Sequence, residues 1–150
     1  MVRSLAVSVF VIGACVALAA QTPGSASGIY DPAAEVTYGG IITTVVPANG
    51  ADGTVGVHVN LLVARGVSVK VHLGPAMFIG MNDGSFLAED QVLVTGALVT
   101  HDGEVALWAR TITKNGKTLV LRSADGTPRW PYATADDPDG CGVAHGAVQY

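Results

Sequence analysis

Aliphatic and polar residues alternate along the segment Val55 to Leu73, which reads VGVHVNLLVARGVSVKVHL. A period of two residues is typical of a β-strand with one buried and one exposed face. Ala64-Arg65-Gly66 divides the segment and predicts a three-residue hairpin loop, in which the glycine takes a left-handed conformation. The segment is therefore predicted to be a β-hairpin.

The predicted loop determines which residues of the two arms face each other. His58 pairs with His72, and Asn60 pairs with Lys70, so one face of the hairpin is polar. A two-residue loop would destroy this alignment. The other face is entirely aliphatic and is expected to contact the core: Val57, Val59, Leu61, Val63, Val67, Val69, Val71 and Leu73.

β-Branched residues in similar runs predict four further strands, and the Asn115-Gly116 pair predicts a tight hairpin turn between the last two. Gly39-Gly40 and Gly96 lie inside strands, where glycine usually marks a bulge or a bend. Ala76 to Met81 predicts one helical turn, with Met77, Phe78 and Met81 packed against the open end of the sheet. The four strands are Glu35–Pro47, Gln91–Thr100, Glu104–Thr113 and Lys117–Arg122.

The order of these elements favours an all-β fold, a small antiparallel Greek-key barrel of five to six strands and OB-like type, with at most one short helix. An SH3-like barrel or an open sandwich would have the same strand content, and both remain alternatives. The barrel is predicted over residues 35–132. A flexible leader precedes it at 21–34, and the acidic, glycine-rich tail at 133–150 is expected to be disordered.

Residues 1–20 have the features of a secretory signal peptide: Arg3, then the apolar run Leu5 to Leu18, then small residues at a cleavage spacing. The run is too short for a transmembrane helix, which needs about 20 residues. Ile12 to Cys15 loosely matches a bacterial lipobox, which leaves a lipid-anchored envelope protein as the alternative. The apolar run continues past Cys15, and this favours release into the periplasm or extracellular space.

Processing would leave about 130 residues, enough for a single domain with one core. The net charge of the chain is −4, which disfavours nucleic acid as a partner. Cys141 would be the single cysteine of the mature chain, so an internal disulfide is excluded and an intermolecular one is favoured over catalysis.

Several short patterns resemble small exported bacterial domains of OB-like type, a group without an assigned activity. The resemblance spans roughly Ala34 to Trp130 and implies the fold and export, with the ligand open. The extra hairpin at Asn115-Gly116 departs from a minimal barrel. The residues that carry the resemblance are Val36, Tyr38, Gly39 and Gly40, the HLGP run His72–Pro75, the VLVTG run Val92–Gly96, Ala109-Arg110, and the spaced residues of Leu121–Trp130.

The polar face of the hairpin is the first candidate site, because OB-like barrels bind ligands on the surface of strands two and three. His58, Asn60, Lys70 and His72 are its predicted ligand-binding residues. Two opposed imidazoles, with His101 and Asp102 nearby, are also a candidate zinc or copper site. Lys70 beside both histidines would repel a cation, which argues against a metal.

Basic residues near the last hairpin are the second candidate. They would attract an anionic surface or an acidic partner, or they are the charged residues that keep exposed edge strands from aggregating. Arg110 and Arg122 are included among the predicted ligand-binding residues. The five residues are Arg110, Lys114, Lys117, Arg122 and Arg129.

Catalytic motifs such as G-x-S-x-G, H-E-x-x-H and the P-loop do not occur in the sequence. The sequence therefore favours an exported, noncatalytic binding or interaction module that uses the outer face of the strand 2–3 hairpin. Its partner is a small ligand or an envelope protein, and no resident cofactor is expected. A metal-dependent enzyme or hydrolase is the alternative from another functional class.

Overall fold

The computed structural model of the chain describes residues 29–49, 54–101 and 103–130. The predictions for the signal peptide, Cys15, the leader up to residue 28, Asp102 and the tail lie outside these residues. A short 3-10 turn at Pro32–Ala34 leads into the first strand. The elements that follow are β1 (Glu35–Asn49), β2 (Val55–Ala64), β3 (Val67–Pro75), α1 (Ala76–Met81), β4 (Gln91–His101), β5 (Glu104–Lys114) and β6 (Lys117–Val120).

All six predicted strands form, and they lie in one sheet in the order β3-β2-β1-β4-β5-β6. Neighbours along this order are antiparallel, and a short parallel pairing of Val71 and His72 with Leu107 and Trp108 joins β3 to β5. The sheet is thereby closed into a barrel-like ring that is not evenly round an axis. The predicted fold class, a small all-β antiparallel barrel of five to six strands with at most one short helix, is confirmed, and its OB type stays a prediction.

The predicted hairpin register is also confirmed: His58 pairs with His72, and Asn60 pairs with Lys70. The loop itself differs, because Ala64 already pairs with Val67 and only Arg65-Gly66 forms the turn. Gly66 has the expected left-handed backbone, with φ of 76°. A register shift between Leu62 and Ala64 offsets the shorter turn, so the histidine alignment survives.

Side chains of the aliphatic hairpin face enter the main core of the barrel. Val59, Leu61, Val71 and Leu73 are fully buried there, while Val67, beside the turn, is half exposed. The middle of the hairpin is thus the part that anchors the polar face above it.

The helical turn α1 closes one end of the barrel, but with a different face from the predicted one. Phe78 and Ile79 are buried, whereas Met77 and Met81 are 66% and 65% exposed. Residues four positions apart lie on the same side of a helix. Packing of Phe78 therefore turns both methionines outward, and their predicted burial is wrong.

Two of the glycines inside strands are required by close backbone approach. A Cβ atom at Gly40 would collide with the carbonyl oxygen of Leu62, and one at Gly96 would collide with the carbonyl oxygen of Trp108. At Gly39, by contrast, the nearest atom to an added Cβ is Leu93 Cδ1 at 3.6 Å, an ordinary contact. The β4–β5 register also shifts between Thr95 and Gly96, which indicates a bulge there.

Among the described residues, the α-helix α1 has six residues, and no helix is long and apolar enough to cross a membrane.

Candidate functional site

The outer surface of β2 and β3 carries the four predicted ligand-binding residues of the hairpin. Because Val59, Leu61, Val71 and Leu73 point into the core, the residues between them lie on the opposite face of the sheet, where His58, Asn60 and Lys70 are partly exposed and His72 is buried. We use the name hairpin face for His58, Asn60, Lys70 and His72 together with Glu104 and Trp108 of β5, which the barrel closure brings beside them.

The two histidines of the hairpin face are stacked on each other. Their ring centroids are 3.8 Å apart and the ring planes differ by 10°. His72 is only 8% exposed. Its ring is also nearly parallel to that of Trp108, at a centroid distance of 6.1 Å and an angle of 16°. The three rings form a continuous row across β2, β3 and β5.

His101, the third predicted metal ligand, lies at the end of β4 on the edge of this row. Its centroid is 6.1 Å from that of Trp108, with the planes at 52°. Three predicted site residues therefore contact Trp108, namely His72, His101 and Arg122. His58 joins this group through its stack on His72.

Stacking of His58 on His72 is unlike the geometry of a chelate. Imidazole nitrogens bind metal in the plane of the ring at about 2.0–2.1 Å, and one ion cannot lie in two parallel planes 3.8 Å apart. Among the described residues, no group of three or more His, Cys, Asp or Glu side chains could hold a metal. Zinc or copper binding stays a prediction, and it would require one ring to rotate.

The remaining polar groups of the hairpin face are held by neighbouring strands. Lys70 Nζ lies 2.7 Å from Glu104 Oε2, and Asn60 Nδ2 donates to Thr44 Oγ1 at 2.7 Å. The hydrogen bond from Lys70, with a smaller contribution from the histidines, holds the pKa of Glu104 below its usual range. The positive charge of Lys70 is thus balanced by Glu104.

Arg122, predicted to bind a ligand, is instead buried, with only 4% exposure. Its guanidinium carbon lies 5.2 Å from the ring centroids of Trp108 and Trp130 and 5.4 Å from that of Tyr30. Nη1 donates to the carbonyl oxygen of Gly126 at 3.2 Å. We call this arrangement the three-ring arginine site.

Arg110 lies beside this site and donates from Nε to Glu35 Oε1 at 2.7 Å. The Tyr30 hydroxyl donates to the same carboxylate oxygen at 2.7 Å. Burial by itself raises the pKa of Glu35, but the hydrogen bonds from Arg110 and Tyr30 outweigh it and keep that pKa below its ordinary value. Burial, followed by the hydrogen bond to Glu35, raises the pKa of Tyr30 well above its ordinary value.

The basic residues near the last hairpin are divided between different surroundings. Lys114 Nζ lies 2.6 Å from Asp90 Oδ2, and Lys117 Nζ lies 3.5 Å from Asp83 Oδ2. Arg129 is exposed. With Arg122 buried and Arg110 paired to Glu35, the five residues do not form one continuous cationic surface.

Trp108 is the central residue of this region, and the pattern analysis does not single it out. A local signal exists: in the run Ala106-Leu107-Trp108-Ala109, Leu107 lies in the main core, whereas Ala106 and Trp108 are buried in a second, smaller core cluster with Val99. The contact of Trp108 with His72, however, depends on the parallel pairing of β3 with β5, which no local pattern encodes.

Residues 34–119 of this chain match the model of the MamS/MamX magnetosome protein family. No curated protein matches the sequence. The matched residues include all six members of the hairpin face.

Proposed function

The chain belongs to the MamS/MamX magnetosome protein family, and from that premise we propose that its barrel is a noncatalytic interaction module that binds another protein through the hairpin face. The observation that carries this proposal is the partly exposed ring of His58, which is stacked on His72 and is backed by the buried Trp108. Aromatic and imidazole rings fixed by packing give up little conformational freedom when a partner binds, which favours affinity.

The composition of the hairpin face resembles that of a protein interface. Strand pairing puts Val46, His58, His72 and Trp108 in one row across β1, β2, β3 and β5. Val46 is 46% exposed at the outer end of this row. Protein interfaces typically have an apolar and aromatic centre with charged groups at the rim. Here the Lys70–Glu104 pair would take the rim position.

Geometry argues against an active site on this face. Catalysis needs titratable groups that converge in a concavity where water can be excluded. The groups of the hairpin face follow the surface of neighbouring strands, and Lys70 and Asn60 already bond to Glu104 and Thr44. Such a surface is suited to a broad partner rather than to a substrate that must be enclosed.

A single charge placed in the row should test this function. We expect His58→Asp to weaken binding of the partner about tenfold, because the few residues that contribute more than about 1 kcal/mol cluster near the centre of an interface. Asn60, beside His58, is replaced with a photo-crosslinking amino acid, and crosslinked protein from the magnetosome fraction is quantified by mass spectrometry. The control is Lys117→Glu on β6, a larger change of charge at an exposed position away from the hairpin face.

The expected result is one crosslinked protein that is lost with His58→Asp and kept with Lys117→Glu. Equal recovery from both variants would show that the hairpin face is not the binding surface. Crosslinking that is abolished by added zinc or copper would instead favour the metal hypothesis.

We infer further that the module acts after export, in the periplasm or extracellular space. The support is the sequence of residues 1–20, with its basic start, apolar run and small residues before Gln21. Mass spectrometry of the protein isolated from its native cells should find a chain that begins at Ala20 or Gln21. A chain that keeps Met1 would contradict export by cleavage, and a lipidated Cys15 would identify an envelope lipoprotein.

A further inference from the structure

A cavity of about 370 Å³ lies between the loop after α1 and the β5–β6 hairpin. Small-molecule sites in proteins typically have volumes of about 300–1,000 Å³, so this cavity is of the size that takes a small ligand. None of its lining residues belongs to β2 or β3. It is therefore separate from the hairpin face, and either site can function without the other.

The cavity has an apolar interior and a charged boundary. Phe86, Ile112 and Leu119 contribute apolar side chains that are continuous with the core of the barrel. Lys114, Lys117 and Asp83 supply the charged groups of the lining, and Asp90 balances Lys114 from beside it. A molecule with a short apolar chain and one negative group that can replace Asp83 at Lys117 matches both features.

The two lysines differ in how firmly they are held. Lys114 Nζ makes short contacts with Asp90 Oδ2 at 2.6 Å and with the carbonyl oxygen of Ser85 at 2.9 Å, so it forms part of the cavity wall. Lys117 reaches Asp83 at only 3.5 Å, and both side chains are largely exposed. Because such exposed pairs contribute little, a ligand can take over Lys117 at small cost.

The loop that forms the other wall is already ordered. Asn82 Nδ2 donates to the carbonyl oxygen of Phe78 at 2.8 Å. The backbone amide of Gly84 donates to the carbonyl oxygen of Ile79 at 2.9 Å. A Cβ atom at Gly84 would lie 2.6 Å from Ile79 Cγ2 and 3.0 Å from Leu119 Cδ2. The loop thus packs tightly on β6, and the cavity exists before any ligand binds.

We propose that this cavity is a binding site for small amphipathic carboxylates, with the apolar chain against Phe86 and Leu119 and the carboxylate at Lys117. Hexanoate, 1-hexanol and hexylammonium are the probes, since they share one chain and differ in charge. Titration of the full chain is followed through the backbone amide signals of Gly84 and Gly116 by NMR. We expect saturable shifts with hexanoate and a Kd on the order of 1 mM.

Selectivity for a negative charge distinguishes this site from an apolar cavity that binds any hydrophobic molecule of the right size. Hexanoate should bind about threefold more tightly than 1-hexanol, in keeping with one exposed ion pair. Lys117→Gln should abolish that difference and leave the affinity for 1-hexanol unchanged. Ser85→Phe, which adds bulk at an exposed lining position, should reduce binding of both probes, whereas Lys70→Gln on the hairpin face should change neither.

Three results would overturn the proposal: no saturable shifts with hexanoate, shifts that map away from the cavity, or hexylammonium bound at least as tightly as hexanoate. Lys117→Gln keeps the test decisive if Ser85→Phe fails to fold, because Lys117 is exposed. Failure at the cavity would leave the partner-crosslinking result at the hairpin face unaffected.

Discussion

Replacing Gly96 with alanine should lower the free energy of unfolding by about 3 kcal/mol, at the upper end of what overpacking usually costs. The added Cβ atom would be forced against the carbonyl oxygen of Trp108 and would lie 2.9 Å from the Cα atom of Ala109. Both obstacles are backbone atoms of the neighbouring strand, so no side-chain rotation can relieve the collision. The β4–β5 pairing itself has to move.

Thermal unfolding followed by circular dichroism measures this effect. For a domain of this size, about 3 kcal/mol corresponds to a fall in Tm of roughly 15 °C. Gly39→Ala is the matched control, since Gly39 also lies inside a strand but an added Cβ there meets only Leu93 Cδ1 at 3.6 Å. We expect the control to change stability by less than about 1 kcal/mol. Equal Tm values for the two variants would contradict the close-approach explanation.

The bend at Gly96 also bears on the hairpin face. Gly96 pairs with Ala109, directly after Trp108, and Ala97 pairs with Trp108 itself. A displacement of β4 from β5 would therefore move Trp108 relative to His72. The glycine is remote from the hairpin in sequence, yet it helps to determine where the ring row lies.

Local sequence pattern predicted the His58–His72 pair but not the two-residue turn or the register shift between Leu62 and Ala64 that restores this pairing. Alternation identifies the two arms, and a short turn between them leaves few possible registers. The same reasoning did not find Trp108, because its partner His72 is 36 positions earlier and the contact forms only when β3 meets β5. Pairings of this kind depend on the closure of the whole barrel.

Arg122 shows a second limit of pattern reasoning. Arginine is rarely fully buried, so its place at the end of the predicted strand Lys117–Arg122 predicts a surface position. Only the fold brings Tyr30, Trp108 and Trp130 around its guanidinium group. For the methionines of α1, six residues were too few for the sequence to decide which side of the helix faces the core.

The three-ring arginine site also joins parts of the chain that lie inside and outside the family match. Trp108 belongs to the matched residues 34–119, whereas Tyr30 precedes them and Arg122 and Trp130 follow them. Trp130 in turn contacts Phe78 of α1, with ring centroids 5.7 Å apart. Arg122 therefore contacts residues of both flanking segments, and we expect it to hold these segments against the barrel.

Replacing Arg122 with alanine should lower the free energy of unfolding by about 3 kcal/mol. The change removes a buried cation from three ring faces, where each desolvated contact contributes up to about 2 kcal/mol, and it leaves a cavity between Trp108 and Trp130. Urea unfolding followed by tryptophan fluorescence is a direct measurement, since both tryptophans of the chain contact Arg122.

Two further variants separate charge from packing at this site. Arg122→Met fills most of the volume without a charge, so a loss of only about 1 kcal/mol would assign most of the effect to packing. Arg122→Lys keeps the charge but not the flat guanidinium that stacks on the rings, and we expect it to be less stable than Arg122→Met. Arg129→Ala, an exposed arginine seven positions later, should change stability by less than about 0.5 kcal/mol. If Arg122→Ala is as stable as Arg129→Ala, Arg122 does not hold the flanking segments, and their attachment must depend on the burial of Trp130 and on the hydrogen bond between Tyr30 and Glu35.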